Sequence, residues 1–176
     1  VIVDEQNNIY IASQTRSRDI PNLKSDINLQ SINYVGLLVK FNSQLSNMIW
    51  GTAVGSPIFE STAFYSLKIA KNGDIYAAGG TNSARIPTHD GSMNSNYGGS
   101  TDGLIVRFDK DGNQLGASYL GTTLYNQAYF VDLDADDNVY VLGQTDATNG
   151  NVYPTTQGVY QNENGGQFIH KLDPTL

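Results

Sequence analysis

Two stretches of the chain space oxygen ligands at alternate positions: Asp109, Asp111 and Asn113, and again Asp134, Asp136 and Asn138. This is how a calcium-binding EF-hand loop opens, but Ca²⁺ takes six to eight oxygens and the loop supplies a distal bidentate Glu. No such Glu follows either stretch, and the related segments 4–8 and 70–74 lose the alternation. Asp and Asn are also the residues a tight turn selects, because their side chains bond their own backbone. The acidic stretches are therefore expected to be turns, with no metal site. His89 and His170 are the only histidines and neither has a sequence partner. No G-x-S-x-G nucleophile turn occurs, and neither Gly79-Gly80 nor Gly98-Gly99 leads into a Lys or a helix. No catalytic and no cofactor-binding residue is expected. Among the eleven tyrosines, Tyr34, Tyr97, Tyr125, Tyr153 and Tyr160 fall in or near loops and are the candidates for contact with a partner. Tyr10, Tyr76 and Tyr140 recur in register and are expected to pack between sheets.

The elements that position these residues repeat. Segments 3–15, 69–81 and 133–145 share an Asp/Asn-rich turn, then Ile or Val, then Tyr, and end on Thr. The spacing of about sixty-five residues marks supersecondary units packed on their neighbours. The middle copy divides into four strands at 66–70, 75–80, 103–108 and 114–121. The first two are joined by Asn72-Gly73, which tolerate the positive φ of a hairpin turn. A long polar excursion over 81–101 separates the second strand from the third. Segments 36–41 and 167–172 match the third strand, and 45–51 is read as matching 115–121, with Trp50 at the place of Leu120. About eleven strands result, and the one place for a short helical turn is 16–33.

Four antiparallel strands per unit at constant pitch is the arithmetic of a β-propeller blade. A β-sandwich would not repeat its sequence at one period, and a β-solenoid coil is much shorter. The fold class expected is thus all-β, as about two and a half consecutive blades of a larger propeller. The copies are placed at approximately 1–65, 66–130 and 131–176, in a fragment of a longer chain. Two and a half copies cannot close a ring, so residues 1–176 alone are expected to aggregate or unfold without sharp cooperativity.

Composition narrows the function. Seventeen acidic against ten basic residues give a net charge of −7 over 176 residues. With no basic cluster, nucleic acid is not an expected partner. Cysteine is absent, which excludes disulfides and thiolate metal sites, and there is no N-x-[ST] acceptor. No apolar run of eighteen residues is present, so this segment is not expected to span a membrane as a helix.

The run from Asp74 to Thr81, then Pro87-Thr88, Asp102 to Asp109 and Tyr119 to Thr122, resembles the SBBP-type bacterial β-propeller repeat. The third copy carries the pattern at Asn138 to Thr145 and Tyr153 to Thr156. The first departs most, with Ser13 for the strand glycine and Val35 for Asp102. The resemblance implies a secreted or surface-anchored bacterial protein, extracellular or associated with the outer membrane. In Bacteroidota, such proteins carry type IX secretion and gliding-motility sorting domains. It implies no catalytic residue. The function expected is a non-catalytic scaffold for protein–protein interaction, with cell-envelope or secretion components as partners. The alternative is a carbohydrate-binding propeller module of an adhesin or extracellular enzyme.

Overall fold

The computed structural model describes residues 1–24, 27, 33–56, 60–89, 92–147, 153–162 and 165–176. Among them are eleven strands and no helix: β1 (Ile2–Val3), β2 (Ile9–Thr15), β3 (Val35–Phe41), β4 (Met48–Val54), β5 (Thr62–Ile69), β6 (Ile75–Thr81), β7 (Asp102–Phe108), β8 (Gln114–Leu120), β9 (Asn126–Leu133), β10 (Val139–Thr145) and β11 (Gln167–Leu172). They form three antiparallel sheets in chain order. Sheet 1 holds β1 to β4, sheet 2 holds β5 to β8, and sheet 3 holds β9 to β11. In the segment 16–33, the described residues make turns and a bridge from Leu23 to Gly51. Residues 25, 26 and 28–32, where a helical turn was also allowed, lie outside the described residues.

One five-residue turn recurs because its chemistry recurs. The first residue donates its N–H to the fifth and accepts from the fourth at 4–8, 70–74, 109–113 and 134–138. The fourth residue takes a positive φ each time: Asn7 at 64°, Gly73 at 88°, Gly112 at 84° and Asp137 at 60°. Gly, Asn and Asp are the residues for which that region costs least.

The sheets stack in chain order. Tyr10, Leu38, Trp50 and Val54 of sheet 1 form one core with Phe64, Ile75, Ala77, Leu104, Val106, Phe108 and Tyr119 of sheet 2. The other face of sheet 2, with Tyr76, Ala78, Ile105 and Leu120, forms a second core with Ala128, Val131, Val139, Val141 and Phe168 of sheet 3. Sheet 2 is covered on both sides, which explains why β6 and β7 read as continuous apolar runs rather than alternating ones. The seams repeat in detail. The Thr52 hydroxyl donates to the Gly112 carbonyl across the first seam, 2.6 Å, and the Ser118 hydroxyl to the Leu176 carbonyl across the second, 3.0 Å.

Two boundaries differ from the sequence reading. The first strands of sheets 2 and 3 begin at Thr62 and Asn126, several residues before 66 and 131, because their opening residues are small or polar and buried rather than apolar. The fourth strand also shifts. Trp50 pairs with Lys40, whose counterpart Arg107 pairs with Gly116, so Trp50 corresponds to Gly116 and Val54 to Leu120. Here a bulky apolar residue near the start of β4 imitated one at the end of β8. The Trp50 ring instead covers the turn at Gly112, where a Cβ would lie 2.7 Å from it.

Sheets 2 and 3 share a defect. Tyr65 on β5 and Tyr129 on β9 are the extra residues of β-bulges, between Phe64 and Ser66 and between Ala128 and Phe130. A bulge bends the strand and re-aims the inserted side chain. It also drives the backbone toward its neighbour: a Cβ on Gly79 would lie 1.8 Å from the Ala63 carbonyl oxygen, and one on Gly143 2.3 Å from that of Gln127.

Candidate functional site

The acidic turns tie each hairpin to its third strand. In sheet 1, Asp4 accepts the N–H groups of Gln6 and Asn8, the Asn8 amide and the Tyr10 hydroxyl, and lies 3.5 Å from Lys40 Nζ. The ammonium sits 4.8 Å from the centre of the Tyr10 ring. In sheet 3 the same set recurs: Asp134 with Asp136 N, Asn138 and the Tyr140 hydroxyl, Lys171 at 3.5 Å, and its ammonium 5.2 Å from the Tyr140 ring centre. Bonds from the Asn138 side chain, reinforced by the N–H groups of Asp136 and Asn138, hold the Asp134 carboxyl well below the usual range.

Sheet 2 moves the acid to the other end of the turn. Ala70 stands first and Asp74 fifth, and Arg107 brings Nε and Nη2 to Asp74 Oδ2 at 2.8 and 2.6 Å. The Tyr76 hydroxyl, with no acid at position 70, donates to the Pro174 carbonyl in the turn after β11, 2.7 Å away. The other EF-hand-like stretch behaves alike, with Asp109 accepting from Asp111 N, Asn113 N and the Asn113 amide. These carboxylates are occupied by their own turns, as turn chemistry requires. Among the described residues, no three His, Asp or Glu side chains gather as a metal-holding group.

The histidines have packing partners. His89 lies over Gly116, and its Nδ1 is 3.0 Å from Ser92 Oγ. That hydroxyl also donates to the carbonyls of His89 and Ala117, so it closes a local turn rather than presenting a nucleophile. His170 faces sheet 2 from β11, its Nε2 2.8 Å from the Tyr153 hydroxyl, with Tyr153 stacked flat on Phe168 at 4.5 Å. Burial pushes the imidazole down to about 4. The folded state therefore binds this proton less readily than the unfolded chain, whose histidine titrates near 6.5. Stability from this group is complete above pH 6.5 and is lost as pH falls through 4. His170→Val with Tyr153→Phe, which restores the valine of β3 and β7, is expected to flatten the fall in melting temperature between pH 6.5 and 4. An unchanged acid limb in thermal melts would refute this.

The loop tyrosines separate. Tyr153 is buried, and Tyr97 packs edge-on against Tyr119 at 6.0 Å beside the first core. Tyr34, Tyr125 and Tyr160 are exposed, Tyr160 at 92%, while the Arg16 guanidinium covers one face of Tyr34 at 5.2 Å. Of the repeat tyrosines, Tyr10 and Tyr76 are buried between sheets, whereas Tyr140 lies half-buried on the outward face of sheet 3.

Sequence reasoning missed the bulged pair. Tyr65 and Tyr129 stand with ring centres 5.6 Å apart, and Tyr65 is 47% exposed. The Tyr129 hydroxyl donates to Gln144 Oε1, 3.4 Å, and the buried Gln127 leaves Oε1 without a partner. The signal was present, since the two tyrosines are 64 residues apart like Tyr76 and Tyr140. It was hidden because both precede the first strands as read from hydropathy.

Among the described residues, Asp102 is the other buried polar side chain with an open valence. Fully enclosed, it accepts only the Gly98 N–H through Oδ2, 2.6 Å, and Oδ1 has no partner. Burial, only partly offset by that bond, pushes its carboxyl up to about 6.

No protein-family model matches the chain, and no curated protein matches it. The three-sheet repeat and its exposed surfaces stand as the basis for a functional reading.

Proposed function

We propose that the chain is part of an extracellular or cell-surface bacterial β-propeller, its sheets successive four-stranded blades, and that it serves as a non-catalytic scaffold for protein–protein interaction. The observation carrying this reading is the recurrence of one seam between successive sheets, with Thr52 on Gly112 and Ser118 on Leu176. Such a stack commits the titratable groups of its turns to structure and leaves loops and edges for recognition. The resemblance to SBBP-type repeats supports an envelope or secretion component as the partner, including the type IX secretion and gliding-motility setting.

The bulged tyrosines favour carbohydrate binding as a second reading. The exposed Tyr65 ring and the half-buried Tyr129 ring, beside the exposed Gln144, offer an apolar platform flanked by an amide, the combination that orients a ligand with one apolar face and hydroxyl edges. The two readings part in one experiment, in which the immobilised chain is offered a glycan array and, separately, cell-envelope extract. The scaffold reading expects saturable, stoichiometric retention of a protein and no glycan signal. Saturable sugar binding that Tyr65→Ala and Tyr129→Ala abolish would replace it with the second reading.

A further inference from the structure

We propose that Tyr65 and Tyr129 are a site of oxidative cross-linking, joined by a haem peroxidase and hydrogen peroxide into a dityrosine that staples sheet 2 to sheet 3. Each is the inserted residue of a β-bulge on the first strand of its sheet, and a bulge re-aims the inserted side chain. The glycines opposite, Gly79 and Gly143, admit the leaning backbone at Ala63 and Gln127 and so fix where each ring emerges. The ring centres stand 5.6 Å apart with planes inclined by 38°, so side-chain rotation can bring the carbons beside the hydroxyls together. Burial raises both phenols above their ordinary pKa. Tyr125 adds to this at both, and Tyr65 at Tyr129, so the hydroxyl ends converge. Both phenols are therefore neutral at neutral pH, and each gives up its proton with its electron.

Two one-electron oxidations balance the reaction. Each phenol loses its proton and one electron, and the two phenoxyl radicals join through the ring carbons beside their oxygens. The hydrogen displaced from each of those carbons returns through solvent to oxygen, which restores both phenols. Hydrogen peroxide takes up the two electrons and two protons and leaves as two waters. The chain thus loses two hydrogen atoms and gains one carbon–carbon bond. The surroundings favour this pair. The chain has no cysteine to quench a radical, and its single tryptophan, Trp50, is buried. Among the described residues, one other tyrosine pair is in ring contact, Tyr97 with Tyr119 at 6.0 Å. There Tyr119 is enclosed, and its hydroxyl donates to the Ser83 carbonyl and accepts the Ile86 N–H. Tyr65, by contrast, is 47% exposed on the middle sheet. Positions 65 and 129 are 64 residues apart, so the bond closes a long loop and removes freedom from the unfolded chain.

Treating the dilute chain with a haem peroxidase and hydrogen peroxide tests this. The expected product is a monomer lighter by two hydrogen atoms, with dityrosine fluorescence, in which fragmentation mass spectrometry joins Tyr65 to Tyr129. Tyr65→Phe or Tyr129→Phe, each of which keeps the ring and removes the phenol, should abolish that product, whereas Tyr125→Phe should retain it. Far-UV circular dichroism confirms folding of each variant. The cross-linked monomer is expected to melt at a higher temperature than the unoxidised chain, because its unfolded state is constrained. No coupling, coupling only between chains, a bond mapped to another tyrosine, survival of the product in either Phe variant, its loss in Tyr125→Phe, or unchanged melting would each overturn the proposal. Retention of an envelope protein or a glycan is measured on the unoxidised chain, so the scaffold and carbohydrate readings succeed or fail separately.

Discussion

Replacing Gly79 with alanine is expected to destabilise the chain by about 3 kcal/mol or more, and Gly143→Ala by a similar amount, because overpacking against backbone cannot relax by side-chain rotation. The new methyl would lie 1.8 Å from the Ala63 carbonyl oxygen in one case and 2.3 Å from that of Gln127 in the other, where each bulged strand leans in. Sheet 1 supplies the control. There β1 (Ile2–Val3) pairs with Tyr10 and Ile9, and Ser13, at the position of Gly79, already carries a Cβ, so serine to alanine adds no atom to the sheet. Ser13→Ala should therefore stay within about 0.5 kcal/mol of the wild type. Urea or thermal melts of the three variants decide it. Equal costs at positions 13, 79 and 143 would show that the glycines answer to strand sequence rather than to the bulge.

Asp102 is expected to make the chain less stable as pH rises. Its folded-state value of about 6 stands above the unfolded value near 3.9. Whatever stability the neutral acid permits is present below pH 3.9 and lost as pH rises through 6, by about 2–3 kcal/mol at neutral pH. His170 acts over nearly the same window with the opposite sign, so the two slopes partly cancel in the wild type. Asp102→Asn keeps an oxygen for the Gly98 N–H and removes the charge. The variant is expected to melt higher than the wild type at pH 7.5, with the advantage gone at pH 4. A variant equal to or less stable than the wild type at pH 7.5 would contradict the account of Asp102.

What was legible in the sequence was whatever repeats locally. The five-residue turns, the middle strands and the correspondence of 36–41, 103–108 and 167–172 follow from positive-φ residues and short apolar runs, and the strands stand where those signals put them. The acidic turns were also readable as turns, because an Asp that accepts its own backbone N–H groups needs no distant partner. The first strands were harder. Thr62, Asn126 and Gln127 are buried and polar, so hydropathy placed their beginnings too late and concealed Tyr65 and Tyr129 just inside them. The departure of Ser13 from the strand glycine has no structural explanation. Loop tyrosines were least legible: Tyr153 and Tyr160 lie in one connection, yet one stacks on Phe168 and the other stands free. That difference depends on tertiary contacts that hydropathy and turn signals do not encode.

The central claim is that one unit repeats in space as it does in sequence, each sheet bearing the same relation to the next. The chain has no cysteine, so single thiols can be introduced at the exposed, equivalent turn residues Glu5, Lys71 and Ala135 and spin-labelled in pairs. Pulsed dipolar distance measurements should give narrow distributions with the same mean for the 5/71 and 71/135 pairs. Broad distributions, or clearly different means for those two pairs, would contradict the repeating stack and with it the functional readings built on it.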